Sequence, residues 1–275
     1  MVRRWIFHSF KYPTAVLSVA LCWTTLSAIA APGALITNGF AHNDYEHTRP
    51  LLDALDLGFC AVEADIYLVN GQLLVGHDTT DLKPERTLTS LYLEPLAQRV
   101  RTNGRSVYPN GPEFLLLIDV KSEADSTYQQ LKLVLTNYSD MLSTFTANGI
   151  RTNAVTIIIS GNRPIELAAR ESSRLAAIDG RANDLDQNRP LPLIPLVSDT
   201  WTKFSGWNGK GKIPGPDRSR IADLVRRAHE QKRRLRLWAA PDTPESWKLQ
   251  QALGIDLINT DKLAEFAGYI ATPQK

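Results

Sequence analysis

From residue 31 onward, short apolar runs alternate with stretches whose apolar positions recur every three or four residues. The runs at 34–40, 60–68, 114–120, 155–160, 175–179, 193–197, 235–239 and 257–260 are rich in Val, Ile and Leu. They are too short for buried helices and read as strands covered on both faces, as in a parallel sheet. Helical periodicity fills most of the intervals, most clearly at 51–57, 128–138, 164–171, 217–231 and 244–253, with a last helix over 262–270. Asn70-Gly71 predicts a tight hairpin that returns 72–75 beside the second strand. Eight β/α units in about 245 residues match a single (β/α)8 TIM barrel. The alternative, an open doubly wound sheet, lacks the glycine-rich phosphate fingerprint expected after its first strand. The Gly-, Lys- and Pro-rich stretch 205–216 reads as a long loop.

The first thirty residues follow another pattern. Arg3, Arg4 and Lys11 precede an uncharged apolar run over 14–30 that closes on Ala28-Ile29-Ala30. That order predicts a secretory signal peptide at 1–30, with the barrel domain over 31–275 and export from the cytoplasm. An uncleaved membrane anchor over 14–30 is the alternative, since the run nearly reaches spanning length. Cleavage removes three basic residues and no acidic ones, taking the net charge from +2 to −1. A near-neutral body offers no electrostatic basis for nucleic-acid binding. Cleavage also removes Cys22 and leaves Cys60 alone, so no internal disulfide is expected. The rest of the composition, 43% hydrophobic and 22% charged, is that of an ordinary globular chain.

Barrel active sites lie at the C-terminal ends of the strands. Those ends read His42-Asn43-Asp44, Glu63-Ala64-Asp65, Asp119-Val120-Lys121, Ser160-Gly161-Asn162-Arg163, Asp179, Ser198-Asp199, Trp238 and Asn259-Thr260-Asp261, and His77-Asp78 follows the hairpin. Side chains two apart on a strand share a face. Glu63 and Asp65 therefore point into the barrel if Val62, Ala64 and Ile66 pack on helices, and Asp119 and Lys121 do the same on the next strand. Three inward carboxylates repel one another unless a cation sits among them. An all-oxygen set fits Mg²⁺ or Ca²⁺ better than Zn²⁺. The plainer alternative is that Lys121 simply neutralises one of the acids. His42 and His77 at the same mouth are candidate acid/base groups, whereas His47 falls in the loop after the first strand and reads as solvent-exposed.

The stretch Ala41–Asp78, "AHNDYEHTRPLLDALDLGFCAVEADIYLVNGQLLVGHD", resembles the opening of the glycerophosphodiester phosphodiesterase family. There a first-strand histidine precedes an E-x-D pair, a hairpin and an H-D pair. "LLLIDVKSEA" at 115–124 is similar to the family's third-strand acid-x-lysine motif, and "RLWAAPD" and "LGIDLINTD" to its closing motifs. "HNDY", "SGNRP" and "LINTD" resemble more narrowly the subgroup that includes the fungal altered-inheritance-of-mitochondria proteins. Two departures stand out: the family's H-R-G is His42-Asn43-Asp44, and its usual third-strand Glu is Asp119, both similar to the sphingomyelinase-D-like phospholipases.

The resemblance implies a TIM barrel and metal-dependent cleavage of a glycerophosphodiester or phospholipid-type substrate. His42 and His77 would be catalytic, and Glu63, Asp65 and Asp119 would hold the metal. Lys121, Asn43, Arg163 and Trp238 are the candidate substrate contacts, with Arg49 a further candidate for the missing arginine. A small-molecule or lipid substrate is the partner implied, with transient contact to a membrane surface if it is a lipid, and no protein partner. A barrel that binds phosphoesters without turnover is the competing class, favoured by the lost arginine and opposed by the retained histidines and acids. A sugar isomerase or aldolase barrel is a third reading, which would not require two histidines flanking an E-x-D pair.

Overall fold

The computed structural model describes residues 1–2 and 34–272, so the leader reading at 1–30 lies almost wholly outside the described residues. Among the described residues there are twelve strands: β1 Gly39–Ala41, β2 Ala61–Val69, β3 Gln72–Val75, β4 Phe114–Val120, β5 Thr144–Thr146, β6 Gly149–Arg151, β7 Val155–Gly161, β8 Ser173–Arg174, β9 Ala176–Gly180, β10 Leu196–Thr200, β11 Arg234–Trp238 and β12 Leu257–Thr260. Eight of these are parallel and close on themselves in the order β1-β2-β4-β7-β9-β10-β11-β12, because β1 pairs with both β12 and β2. That closure is a TIM barrel and excludes the open sheet. Strand β3 adds to β2 as the antiparallel return of the hairpin at Asn70-Gly71. The described residues also form seven α-helices, between or after the strands: α1 Leu52–Asp56, α2 Glu94–Thr102, α3 Ala124–Thr136, α4 Ile165–Ala169, α5 Gly215–Glu230, α6 Pro244–Leu253 and α7 Leu263–Ala271.

The strand alternation sorts the buried residues into two layers. Val62, Ala64 and Ile66 of β2 and Leu116 and Ile118 of β4 join the large cluster between strands and helices. Phe40, Ala61, Leu115, Leu117, Ile158, Ala177, Leu196 and Leu257 form the smaller cluster inside the barrel. Phe145, from β5, belongs to that interior cluster. It comes from an antiparallel three-stranded sheet, β6-β5-β8, outside the barrel ladder. It lines one cavity with Leu115 and Leu196, which lie at the N-terminal ends of β4 and β10, so the ring closes that end of the barrel. Truncating a buried Phe costs about 3–5 kcal/mol, which makes this small sheet part of the fold's stability.

Several elements depart from the pattern-based expectation, each for a local reason. The first ladder covers only Gly39–Ala41, with an isolated bridge from Ile36 to Phe59 standing for the rest. The run over 193–197 shifts to Leu196–Thr200, since Pro190, Pro192 and Pro195 lack the N–H a central strand must donate. Helix α3 starts at Ala124 because the Glu123 side chain caps it, accepting from the N–H groups of Asp125 and Ser126. The helical stretch Thr89–Leu93 and α2, and the β5/β6/β8 sheet, carry patterns too short to have been foreseen.

Candidate active site

The C-terminal end of β1 delivers His42 and then turns sharply. Asn43 makes the turn in the left-handed region (φ 50°), a conformation Asn adopts more readily than most residues. Its side chain is committed to holding the turn: Oδ1 accepts from Tyr45 Oη at 2.8 Å and Nδ2 donates to Asp261 Oδ1 at 3.2 Å. Its backbone N–H points to Glu63 Oε2 at 3.4 Å. Asp44, fully buried behind the turn, accepts from Leu51 N–H and Tyr92 Oη. Burial outweighs these two hydrogen bonds and pushes its carboxyl up to about 7.

Glu63 and Asp65 project into the barrel from β2, and the register places Asp65 beside Asp119 of β4. One carboxylate oxygen from each of Glu63, Asp65 and Asp119 lies within 4.8 Å of the others. Lys121 sits against this group, with Nζ at 3.0 Å from Asp65 and 3.1 Å from Asp119. It thus meets two acids rather than one, and Glu63 is left outside its reach. Burial, then the charge of Glu63, raises the Asp65 carboxyl to about 6 against the pull of Lys121, and Asp119 raises it further. A residual cost of gathering three acids therefore survives the lysine. A hard divalent cation with oxygen ligands is the group such a cage would take.

Each histidine is held by a carboxylate at Nδ1. His42 Nδ1 lies 2.8 Å from Asp261 Oδ1, while Nε2 lies 3.5 Å from Glu63 Oε2. His77, carried in by the β2–β3 hairpin, places Nδ1 3.0 Å from Asp65 Oδ2 and 3.1 Å from Tyr45 Oη. Ionised carboxylates only accept, so Nδ1 carries the proton in both rings and Nε2 is the exchangeable nitrogen. Burial works against the charged form of His42, but the Asp261 hydrogen bond and the charges of Glu63 and Asp261 outweigh it and raise its pKa. A cleft of about 460 Å³ opens beside His77, lined by Tyr45, Gly76, Asp81, Lys83 and Arg86 among others.

The structure brings His42, His77, Glu63, Asp65, Asp119 and Lys121 together at one mouth, with Asn43 at its edge. Trp238 ends β11 with 37% of its surface exposed. Arg163 is occupied elsewhere, donating to Asp179 O at 2.8 Å and pairing with Asp184 at 3.0 Å. Arg49 is likewise tied to Asp53 and Asp56. His47 is half-buried rather than open. Three participants were not assigned from the sequence. Asp261 orients His42, Tyr45 bridges Asn43 and His77, and Arg236 enters the barrel from β11. The alternation Arg234-Leu235-Arg236-Leu237-Trp238 was the available signal for Arg236, since Leu235 and Leu237 pack on the helix side.

A closed parallel barrel with acids, histidines and a lysine at its C-terminal mouth defines a TIM-barrel protein with a candidate acid/base and metal site. The chain belongs to the AIM6-like phosphodiesterase domain family, which matches residues 35–178. It is similar to altered inheritance of mitochondria protein 6 from Eremothecium gossypii, at 29% identity over 83% of this chain and 68% of that protein. The homologue from Arthroderma benhamiae is 27% identical, over 83% and 82% of the two chains. In Lachancea thermotolerans the protein of that name is 31% identical, with 82% of this chain spanning 63% of it. Among solved structures, glycerophosphodiester phosphodiesterase from Agrobacterium tumefaciens shares the fold, with a TM-score of 0.50 and 13% identity over 86% of this chain and all of that one.

Proposed function

We propose that the chain cleaves a phosphodiester, of a glycerophosphodiester or phospholipid type, by an acid/base pair formed from His42 and His77. The observation that carries this reading is the placement of two carboxylate-oriented imidazoles on either side of one acidic cage. Glu63, Asp65 and Asp119 would hold a divalent cation, Mg²⁺ or Ca²⁺, which when bound would neutralise charge on the non-bridging oxygens. Lys121, already against Asp65 and Asp119, adds a second positive charge at the same place. Asp261 and Asp65 keep the two rings in the tautomer that leaves Nε2 free.

Two proton-carrying groups beside one acidic cage are sufficient for attack by a hydroxyl of the substrate itself. A hydroxyl of the substrate adjacent to the phosphate forms the new O–P bond and gives its proton to one imidazole. The other imidazole protonates the departing oxygen as its bond to phosphorus breaks, leaving a cyclic phosphate and an alcohol. Imidazole is the side chain suited to such a proton exchange near neutral pH.

The test is a phosphorus NMR screen of the purified chain against glycerophosphodiesters, lysophospholipids and sphingomyelin, with metal and with chelator. Metal-dependent loss of a diester and appearance of a cyclic phosphate is the expected result. Binding without turnover of any diester would instead support a barrel that has kept the site and lost the reaction.

A further inference from the structure

A phosphodiester brings negative charge into a mouth that already holds Glu63, Asp65, Asp119 and Asp261, so protein cations must help to hold it. Most of the cations nearby are committed. Lys121 lies between Asp65 and Asp119. Arg181, on the far wall, pairs with the fully buried Asp179 at 2.9 Å and donates to Gly180 O and Ser160 Oγ. Arg163 and Arg49 are held by their own acids.

Arg236 is different. Only 4% of its side chain is exposed, and its one carboxylate contact among the described residues, an ion pair with Glu63, is too long for a hydrogen bond. The nearest acidic oxygen, Glu63 Oε1, is 3.7 Å away. Its hydrogen bonds go to neutral oxygens, from Nε to Ser198 Oγ at 3.1 Å and from Nη1 to Asn259 Oδ1 at 3.4 Å. The Phe40 ring packs on the guanidinium, 4.3 Å from Cζ to the ring centre. Neither of these bonds uses Nη2. A guanidinium withdrawn from water ordinarily meets a carboxylate or phosphate through two parallel bonds, because desolvating a charge without them is costly. Arg236 is held in a fixed orientation by Ser198 and Asn259, and Glu63 stands too far off to form such a two-bond pair with it. Its charge also lowers the proton affinity of His42, which places it at the same mouth as the acid/base pair.

We propose that Arg236 is the phosphate anchor of this barrel, receiving an oxygen of a phosphodiester or of inorganic phosphate beside Glu63 and His42. The inference rests on the phosphodiester reading above for its substrate, and on the geometry of Arg236 for its site. Phe40 blocks the guanidinium from sinking into the barrel, and Ser198 and Asn259 fix its plane. A planar, always-charged fork suits phosphate better here than a lysine would. Asn43, by contrast, has its side chain bound to Tyr45 and Asp261.

The experiment is calorimetric titration of the purified full chain with inorganic phosphate, beside Mg²⁺ titration of the same samples. Wild type should bind phosphate, and Arg236→Gln should weaken that binding about 10- to 100-fold, the range for a lost charge-assisted hydrogen bond. Its Mg²⁺ affinity should not fall, since the change removes a positive charge next to Glu63. Arg236→Lys should lie between the two, and it carries the test if circular dichroism shows Arg236→Gln unfolded. Wild-type phosphate affinity in whichever variant folds, or no phosphate binding by wild type, overturns the inference. Arg236-dependent phosphate binding without turnover of any diester would remove the diesterase reading and leave the anchor standing. Diester turnover with unchanged KM and phosphate affinity in Arg236→Gln would do the reverse.

Discussion

Two buried acids in this protein carry protons more readily than acids in water, and this has a measurable consequence. Asp44 is raised to about 7 and Asp65 to about 6, in each case mainly by burial. Both values exceed those of the unfolded chain, so the folded state binds more protons than the unfolded state between about pH 4 and pH 7. Stability associated with these protons is complete below the unfolded pKa and is lost as pH rises through the folded one. The metal-free protein should therefore melt at a lower temperature at pH 7.5 than at pH 5, with a slope of up to about 1.4 kcal/mol per pH unit for each group. Asp44→Asn should flatten part of that slope, as thermal melts across the range would show. A melting temperature that rises from pH 5 to pH 7.5 would contradict the assignment. At this scale the sequence was informative wherever strand alternation decides direction: Glu63, Asp65, Asp119 and Lys121 face inward because their neighbours are apolar. It was silent on Asp261 as the partner of His42, a contact that spans 219 positions of chain. It was equally silent on which arginines would find acids of their own.

At the level of elements, the barrel was legible because apolar runs and helical periods alternate with little ambiguity. What escaped were short pieces whose stability is tertiary, such as β5, where one inward Phe145 in Thr-Phe-Thr supplies the reason for the strand. The end of β7 shows how an element serves the site. Gly161 lies at φ 68°, and a Cβ there would stand 2.3 Å from Asp119 Oδ1 and 2.5 Å from Val120 O. The strand can pass this close to Asp119 only without a side chain. Gly161→Ala should lower stability by roughly 1–3 kcal/mol through backbone strain and displace the Asp119 carboxylate. Calorimetry should then show weaker divalent-cation binding than in wild type. A variant with wild-type melting and wild-type cation affinity would contradict this account of β7.

For the molecule as a whole, closure of β1 on β12 sets the site. His42 and Asp261 come from the two ends of the domain, and their contact exists only when the eighth strand is in place. Among the described residues no helix is long and apolar enough to cross a membrane. From the order of the first thirty residues, basic then apolar then small, we propose export with cleavage near Ala30 or Ala31. Intact-mass measurement on protein from the native host should give a chain that begins there. A mass that retains residues 1–30 would favour the anchor.

The central claim is that His42 and His77 transfer protons during cleavage of a phosphodiester. The direct measurement is kcat/KM for one diester, under metal-saturating conditions, for wild type, His42→Ala and His77→Ala, with circular dichroism melts of each. General acid–base groups typically contribute about 10²–10⁴-fold, so each variant should lose activity in that range while remaining folded. A folded variant of either kind that cleaves at the wild-type rate would contradict the account.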